Sequence, residues 1–202
     1  MQSQNILFVN SSPRGDYSES KAIGQAIVDK LVQKNPDANV DFLDLTVDSP
    51  PIVTLDWVMG AYTDPAGHTE SQKAAVATSD IYIDQLFAAD TIVLAVPMFN
   101  FGVPGVFKLW IDQICRIGRT FTASYEGLAK NKKVYVVSAR GGAGYGPGQA
   151  MESADFVIPY LRAVLGFIGM TDVTFYDIEN TATANENFHI TKGRAQAAIE
   201  AL

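Results

Sequence analysis

The sequence predicts an open α/β sandwich, with a five-stranded parallel sheet between two layers of helices, built as one domain over residues 1–202. Three observations carry this. Short apolar runs alternate along the chain with segments whose apolar residues recur at helical spacing. The run Ile92 to Val96 is apolar without interruption, as in a strand covered on both faces. No composition break, repeat or low-complexity tract divides the chain. Strict β–α alternation requires right-handed crossovers, and these make the strands parallel.

The first strand is Asn5 to Asn10, followed by a helix from about Glu19 to Gln33 in which Ile23, Ile27 and Leu31 repeat every four residues. "VDFLDL", Val40 to Leu45, is the second strand. A long connection with Pro50-Pro51 and Trp57 follows and is expected on the surface. Thr69-x-x-Gln72 has the pattern of a capping box and opens a helix that runs to about Ala88. Thr91 to Val96 is strand three. Pro104 suits the first turn of a helix carrying Phe107, Trp110, Ile111 and Ile114. "KVYVVSA" and "VTFYDI" are strands four and five, separated by a glycine loop and the helix "FVIPYLRAVLGF", ended by Gly166 and Gly169. A last helix spans Lys192 to Leu202. Five strands so connected point to the flavodoxin-like order 2-1-3-4-5. Ligands of such sheets bind beyond the carboxyl ends of the strands, near the switch point between strands one and three.

Composition narrows the function classes. With 202 residues, 48% of them hydrophobic, the chain can bury a core without disulfides or metal. The single Cys115 fits a reducing compartment, and "MQSQNILFVNSS" has neither the basic start nor the apolar stretch of a signal peptide, so a cytoplasmic location is expected. No apolar run is long enough for a bilayer. A formal charge of −7 argues against a nucleic-acid partner. An anionic cofactor remains open, because backbone N–H groups at a helix start act locally.

Three loops fall at the predicted binding edge. After strand one, "NSSPRGDYSES" places Ser18 as an N-cap, with Glu19, Ser20 and Lys21 at the positive end of the helix. Ser12 and Arg14 can curl over the same point, making a phosphate cradle without any Walker pattern. After strand three, "PMFNFGVPG" offers Met98, Phe99 and Phe101 for one side of a planar ring and Asn100 for its polar edge. After strand four, "SARGGAGYGPG" has glycines at 141, 142, 144, 146 and 148 that allow close backbone approach, but not the dinucleotide fingerprint G-x-G-x-x-G. Each loop alone has a plain reading as a turn or as packing. Together, a phosphate at one end and a flat heteroaromatic ring at the other describe flavin mononucleotide (FMN).

The same motifs carry a family resemblance. "SSPRGDYSES", "PMFNFGVPGVFKLWID" and "SARGG", supported by "GRTFTASYEGLAKNKKVYVV" and "PYLRAVLGFIGMTDV", resemble the FMN-dependent NADH-azoreductases, also described as FMN-dependent NADH:quinone oxidoreductases. The similarity runs from Ile6 to about Val173. It implies that Ser12, Ser18, Glu19 and Ser20 take the FMN phosphate. It places the isoalloxazine on Pro97, Met98, Phe99, Asn100 and Phe101 and against Ala139, Arg140, Gly141 and Gly142. It further implies a homodimer with flavin sites at the subunit interface, with Trp57, Tyr62 or Phe121 as aromatics supplied by the partner chain. Where family members often carry an arginine near 60–61, this chain has Tyr62, which leaves NADH against NADPH open.

The expected activity passes two electrons from NADH or NADPH through the flavin to a quinone, or to an aromatic azo compound in two rounds. One site used in turn predicts ping-pong kinetics. No side chain is nominated as acid or base, since the cofactor carries the chemistry. His68 and His189 lack metal-ligand spacing and are expected at the surface, and Cys115 lies in an apolar helix pattern. The alternative is an FMN electron carrier that does not oxidise NAD(P)H directly. A phospho-acceptor domain of this topology would need acidic residues after strand one, where Asn10-Ser11-Ser12 stand.

Overall fold

The computed structural model describes residues 4–202. Its five strands are β1 (Asn5–Asn10), β2 (Asn39–Asp44), β3 (Thr91–Ala95), β4 (Lys133–Ala139) and β5 (Asp172–Ile178). They form one parallel sheet in the order β2-β1-β3-β4-β5, as the alternation predicts. Six α-helices accompany them: α1 (Glu19–Lys34), α2 (Leu55–Tyr62), α3 (Glu70–Ala88), α4 (Gly105–Ile114), α5 (Ile158–Phe167) and α6 (Glu186–Glu200).

The alternation of side chains along the central strands feeds two separate cores. Ile6, Phe8, Val93, Tyr135 and Val137 pack with Ile23 and Ile27 of α1 and with Phe188 and Ile199 of α6. Leu7, Val9, Ile92, Leu94, Val134 and Val136 face the other way, onto Leu86 of α3, Trp110 and Ile114 of α4 and Leu161 of α5. All five residues of β3 are buried, which explains the uninterrupted apolar run that follows Thr91. Gly24 lets α1 sit on the sheet: a Cβ there would stand 2.8 Å from the Phe8 ring.

Thr69 caps α3 in the expected reciprocal box with Gln72. Other expectations need correction. The connection holding Trp57 is not a surface loop. Thr54 caps α2, and Trp57 is 7% exposed against Ala61 and Val76, with its indole N–H donating to Gln113 Oε1 at 2.7 Å. A tryptophan with a buried partner for its N–H stabilises a short helix that propensity alone does not announce. Helix α6 starts at Glu186, six residues before the predicted Lys192, because the Asn185 side chain accepts the Phe188 N–H and caps it there. Gly166 lies inside α5. The helix is closed instead by Gly169 at φ +105°, with Met170 N–H donating to Leu165 O and Gly169 N–H to Gly166 O.

Candidate functional site

The C-terminal ends of β1, β3 and β4 meet at a cavity of about 150 Å³. The first loop contributes Ser12, Arg14, Ser18, Glu19 and Ser20 to its walls, the second Pro97 and Phe99, and the third Ala139 and Gly141. The topology thus brings together the three loops that the sequence assigns to one place. Larger open clefts occur elsewhere, such as one of about 380 Å³ along β5 and α6. The smaller cavity is the one into which unsatisfied donors converge, and this decides between them.

The β1 loop is fixed from below. Ser11 donates to Ala95 O through both N–H and Oγ, at 3.1 and 2.8 Å. Asn10 Oδ1 accepts the Ser12 N–H at 3.1 Å while its Nδ2 donates to Asp44 Oδ2 at 3.0 Å. Gly15, at φ +54°, turns the chain into α1. Ser18 Oγ accepts the Lys21 N–H at 3.2 Å and caps the helix. The N–H groups of Glu19 and Ser20, first and second in α1, remain as the open donors every helix start leaves. Ser12 Oγ is buried and has no hydrogen-bond partner among the described residues. A buried hydroxyl without a partner is costly, and here it lies in the wall of the cavity beside two free N–H groups. This donor set suits a phosphate monoester.

The second loop is a tight turn. Phe99 and Gly102 exchange hydrogen bonds of 2.9 and 3.1 Å, and the two residues between them, Asn100 and Phe101, both have positive φ, 49° and 71°. Two left-handed residues in a two-residue turn define a type I′ geometry. Asparagine tolerates it. A phenylalanine there costs about 1 kcal/mol or more, a strain that tends to mark function. The turn holds Phe99 and Phe101 at 39% and 46% exposure, so both rings stay available to a ligand. Met98 N–H donates to Ala139 O at 2.9 Å, tying this loop to the third.

Arg140 does not present its side chain to the cavity. It is buried, with a guanidinium nitrogen 3.0 Å from Asp155 Oδ2 and Nε 2.8 Å from Asp177 Oδ1. The second approach is close in charge but poorly aligned as a hydrogen bond, and both atoms lack a directional partner. Burial pushes the Asp177 carboxyl up to about 6, against the opposing pull of Arg140. Arg140 therefore braces the start of the glycine loop from beneath. Met98, Asn100, Phe101 and Gly142 are not among the residues lining the cavity, and Met98 packs instead against the core beneath α4.

Thr181 and Ala182 line the cavity and are absent from the sequence-based set. They lie after β5, where Thr181 N–H and Oγ1 both donate to Arg140 O, at 3.0 and 3.1 Å, and Asn180 N–H donates to Gly142 O at 2.9 Å. The small polar run "NTATAN" was the available signal, since it too leaves the carboxyl edge of the sheet. Of the aromatics considered for a partner's site, Tyr62 is exposed, while Trp57 and Phe121 are buried. Phe121 packs on Phe167 with centroids 4.6 Å apart.

The competing residues have plain roles. His68 is half-buried, not a surface bystander. Its Nε2 lies 2.9 Å from Gly60 O and 3.0 Å from Thr63 O, so this nitrogen carries the proton and ties down the end of α2. Burial pushes the Cys115 thiol up to about 12, which removes it as a nucleophile at neutral pH. No group of metal-binding side chains occurs among the described residues, and no described helix is long and apolar enough to cross a membrane.

Sheet order, carboxyl-edge cavity and donor-rich first loop define a flavodoxin-like protein, and a family model described as "Flavodoxin-like fold" matches residues 4–201. The chain belongs to that family. Among curated relatives it is 43% identical over 180 residues to FMN-dependent NADH:quinone oxidoreductase 2 of Trichormus variabilis (strain ATCC 29413 / PCC 7937), covering 87% of this chain and 86% of the relative. It is 41% identical over 198 residues to FMN-dependent NADH:quinone oxidoreductase 1 of the same organism, covering 96% and 93%. Among solved structures, an azoreductase from Bacillus anthracis str. Sterne superposes with a TM-score of 0.83 at 27% identity, covering 98% of this chain and 100% of that one.

Proposed function

We propose that this protein is an FMN-dependent oxidoreductase that transfers two electrons from NADH or NADPH to quinones and reductively cleaves aromatic azo compounds. The single observation that carries the reading is the unpartnered Ser12 hydroxyl facing the same cavity as the free N–H groups that open α1. Relatives named as FMN-dependent NADH:quinone oxidoreductases support it.

The residues fit FMN. Ser12 Oγ, Ser18, the N–H groups of Glu19 and Ser20, and Arg14 would hold the phosphate. Pro97, Phe99 and the strained Asn100-Phe101 turn would support the ring, with Ala139 and Gly141 along its edge. The N–H groups of Asn100, Gly141 and Gly142 have no acceptor among the described residues and can favour negative charge on a bound ring. When bound, FMN supplies a two-electron acceptor that a nicotinamide reduces and a quinone reoxidises. The chain contributes position, an apolar wall and aligned dipoles, and it contributes no general acid or base. With Phe99 and Phe101 supporting one face of the ring, only the other face would be open, and both substrates would use it in turn.

The whole chain acts as one domain, in the cytoplasm, and as a homodimer in which exposed aromatics such as Tyr62 reach the partner's flavin. Initial rates measured over a grid of NADH and benzoquinone concentrations test the mechanism. Parallel double-reciprocal lines are expected. Intersecting lines would mean that both substrates bind together and would end the one-site reading.

A further inference from the structure

Glu19 poses an electrostatic problem. It is the first residue of α1, where a carboxylate favours the helix dipole, yet it lines the cavity assigned here to a phosphate. A phosphate monoester carries about −1.5 to −2 at neutral pH. The formal charges in the cavity wall, Arg14 and Glu19, cancel, which leaves nothing beyond N–H and hydroxyl dipoles to balance that charge.

Lys192 changes this balance. It reaches from α6 and places Nζ 2.8 Å from Glu19 Oε2, with both side chains mostly buried. The approach is off the hydrogen-bond axis, since Oε2 has no directional partner, so the contact works by charge. Its ammonium also lies 5.2 Å from the centre of the Phe188 ring, which holds the lysine stem against α6. With Lys192 counted, the three side chains Arg14, Glu19 and Lys192 carry a formal charge of +1.

We infer that Lys192, acting through Glu19, determines the selectivity of this site for a phosphorylated flavin over an unphosphorylated one. The inference rests on the FMN reading above. Lys192 is a positioning residue: it neutralises Glu19 and keeps that carboxylate turned to α6, so the α1 N–H groups face the cavity without a competing anion. A second ion pair between the same helices, Lys30 with Glu200 at 2.9 Å, lies away from the cavity and supplies the control.

The test compares FMN with riboflavin, which share the ring and differ in the phosphate. Dissociation constants are read by flavin fluorescence on apo-protein for the wild type, Lys192→Gln, Glu19→Gln, the double variant and Lys30→Gln. Lys192→Gln is expected to weaken FMN roughly five- to tenfold, with riboflavin unchanged within about twofold. Adding Glu19→Gln should restore FMN affinity, since the uncompensated charge is gone. Lys30→Gln should leave the FMN-to-riboflavin ratio unchanged. Equal weakening of both flavins by Lys192→Gln would reduce the pair to a helix–helix tie and overturn the inference, as would a double variant that does not recover. A wild type that binds neither flavin overturns this inference and the FMN reading together. A wild type that prefers FMN, with a ratio that Lys192→Gln does not move, overturns this inference alone.

Discussion

Replacing Ser12 and Ser20 together by alanine is expected to lower FMN affinity about a hundredfold. Both residues line the cavity; Ser12 Oγ has no partner among the described residues, and Ser20 Oγ meets the Ser18 hydroxyl at 3.2 Å. A hydrogen bond to a charged group contributes about 1.5–3 kcal/mol, and two of them account for at least that ratio. Fluorescence titration of apo-protein measures it. The cost to the fold should be small: Ser12 Oγ has no partner among the described residues, and the loss at Ser20 is its contact with the Ser18 hydroxyl. Ser18→Ala makes the contrast. Its hydroxyl caps α1, so that change also costs about 1 kcal/mol of stability. If the Ser12/Ser20 variant bound FMN like the wild type, the phosphate would lie elsewhere.

Gly127→Ala is expected to cost roughly 4 kcal/mol of stability and lower Tm by about 10 °C, the largest effect of any single added methyl. A Cβ at Gly127 would stand 2.3 Å from Gly169 N and 2.4 Å from Ile168 C. These are backbone atoms and cannot rotate away. The crossing is fixed further by Ala129 N–H donating to Ile168 O at 2.8 Å. It anchors the loop bearing Phe121 and Tyr125 against Phe167 at the end of α5. Gly166→Ala is the matched control: it lies within α5, has open space around its Cβ direction, and should stabilise by about 0.5–1 kcal/mol. Thermal unfolding of both variants checks the pair. Equal effects would show that the crossing yields easily.

The contrast between these glycines shows what a sequence can and cannot reveal. Gly127 and Gly166 look alike in one dimension, each flanked by ordinary residues. Their difference comes from a contact across more than forty positions. Sheet order was legible because alternation and a doubly buried β3 leave few topologies open. The site was legible in its first three loops because ligand binding at the carboxyl edge is a property of the topology, and Ser12, Phe99 and Gly141 sit where that rule points. Thr181 and Ala182 escaped because their loop is joined to the site by hydrogen bonds to Arg140, Gly141 and Gly142, which no local pattern encodes.

Arg140 gives the complementary lesson. Its place in "SARGG" puts it beside the cavity, but a strand end alternates, and its side chain turns beneath the loop to Asp155 and Asp177. Trp57 stands in a long connection, and such connections are expected on the surface. The partner for its indole, Gln113, comes from a helix far along the chain. Helix α6 began early for a local reason, the Asn185 cap, which was visible in the sequence beside the less helical stretch that follows it.

The most direct measurement uses protein saturated with FMN, mixed anaerobically with one equivalent of NADH while flavin absorbance is followed, then with one equivalent of benzoquinone. Rapid, complete bleaching followed by complete recolouring is the predicted result, with each step stoichiometric. Tight FMN binding with no bleaching by NADH or NADPH would contradict the account and make the protein a carrier of electrons from other proteins.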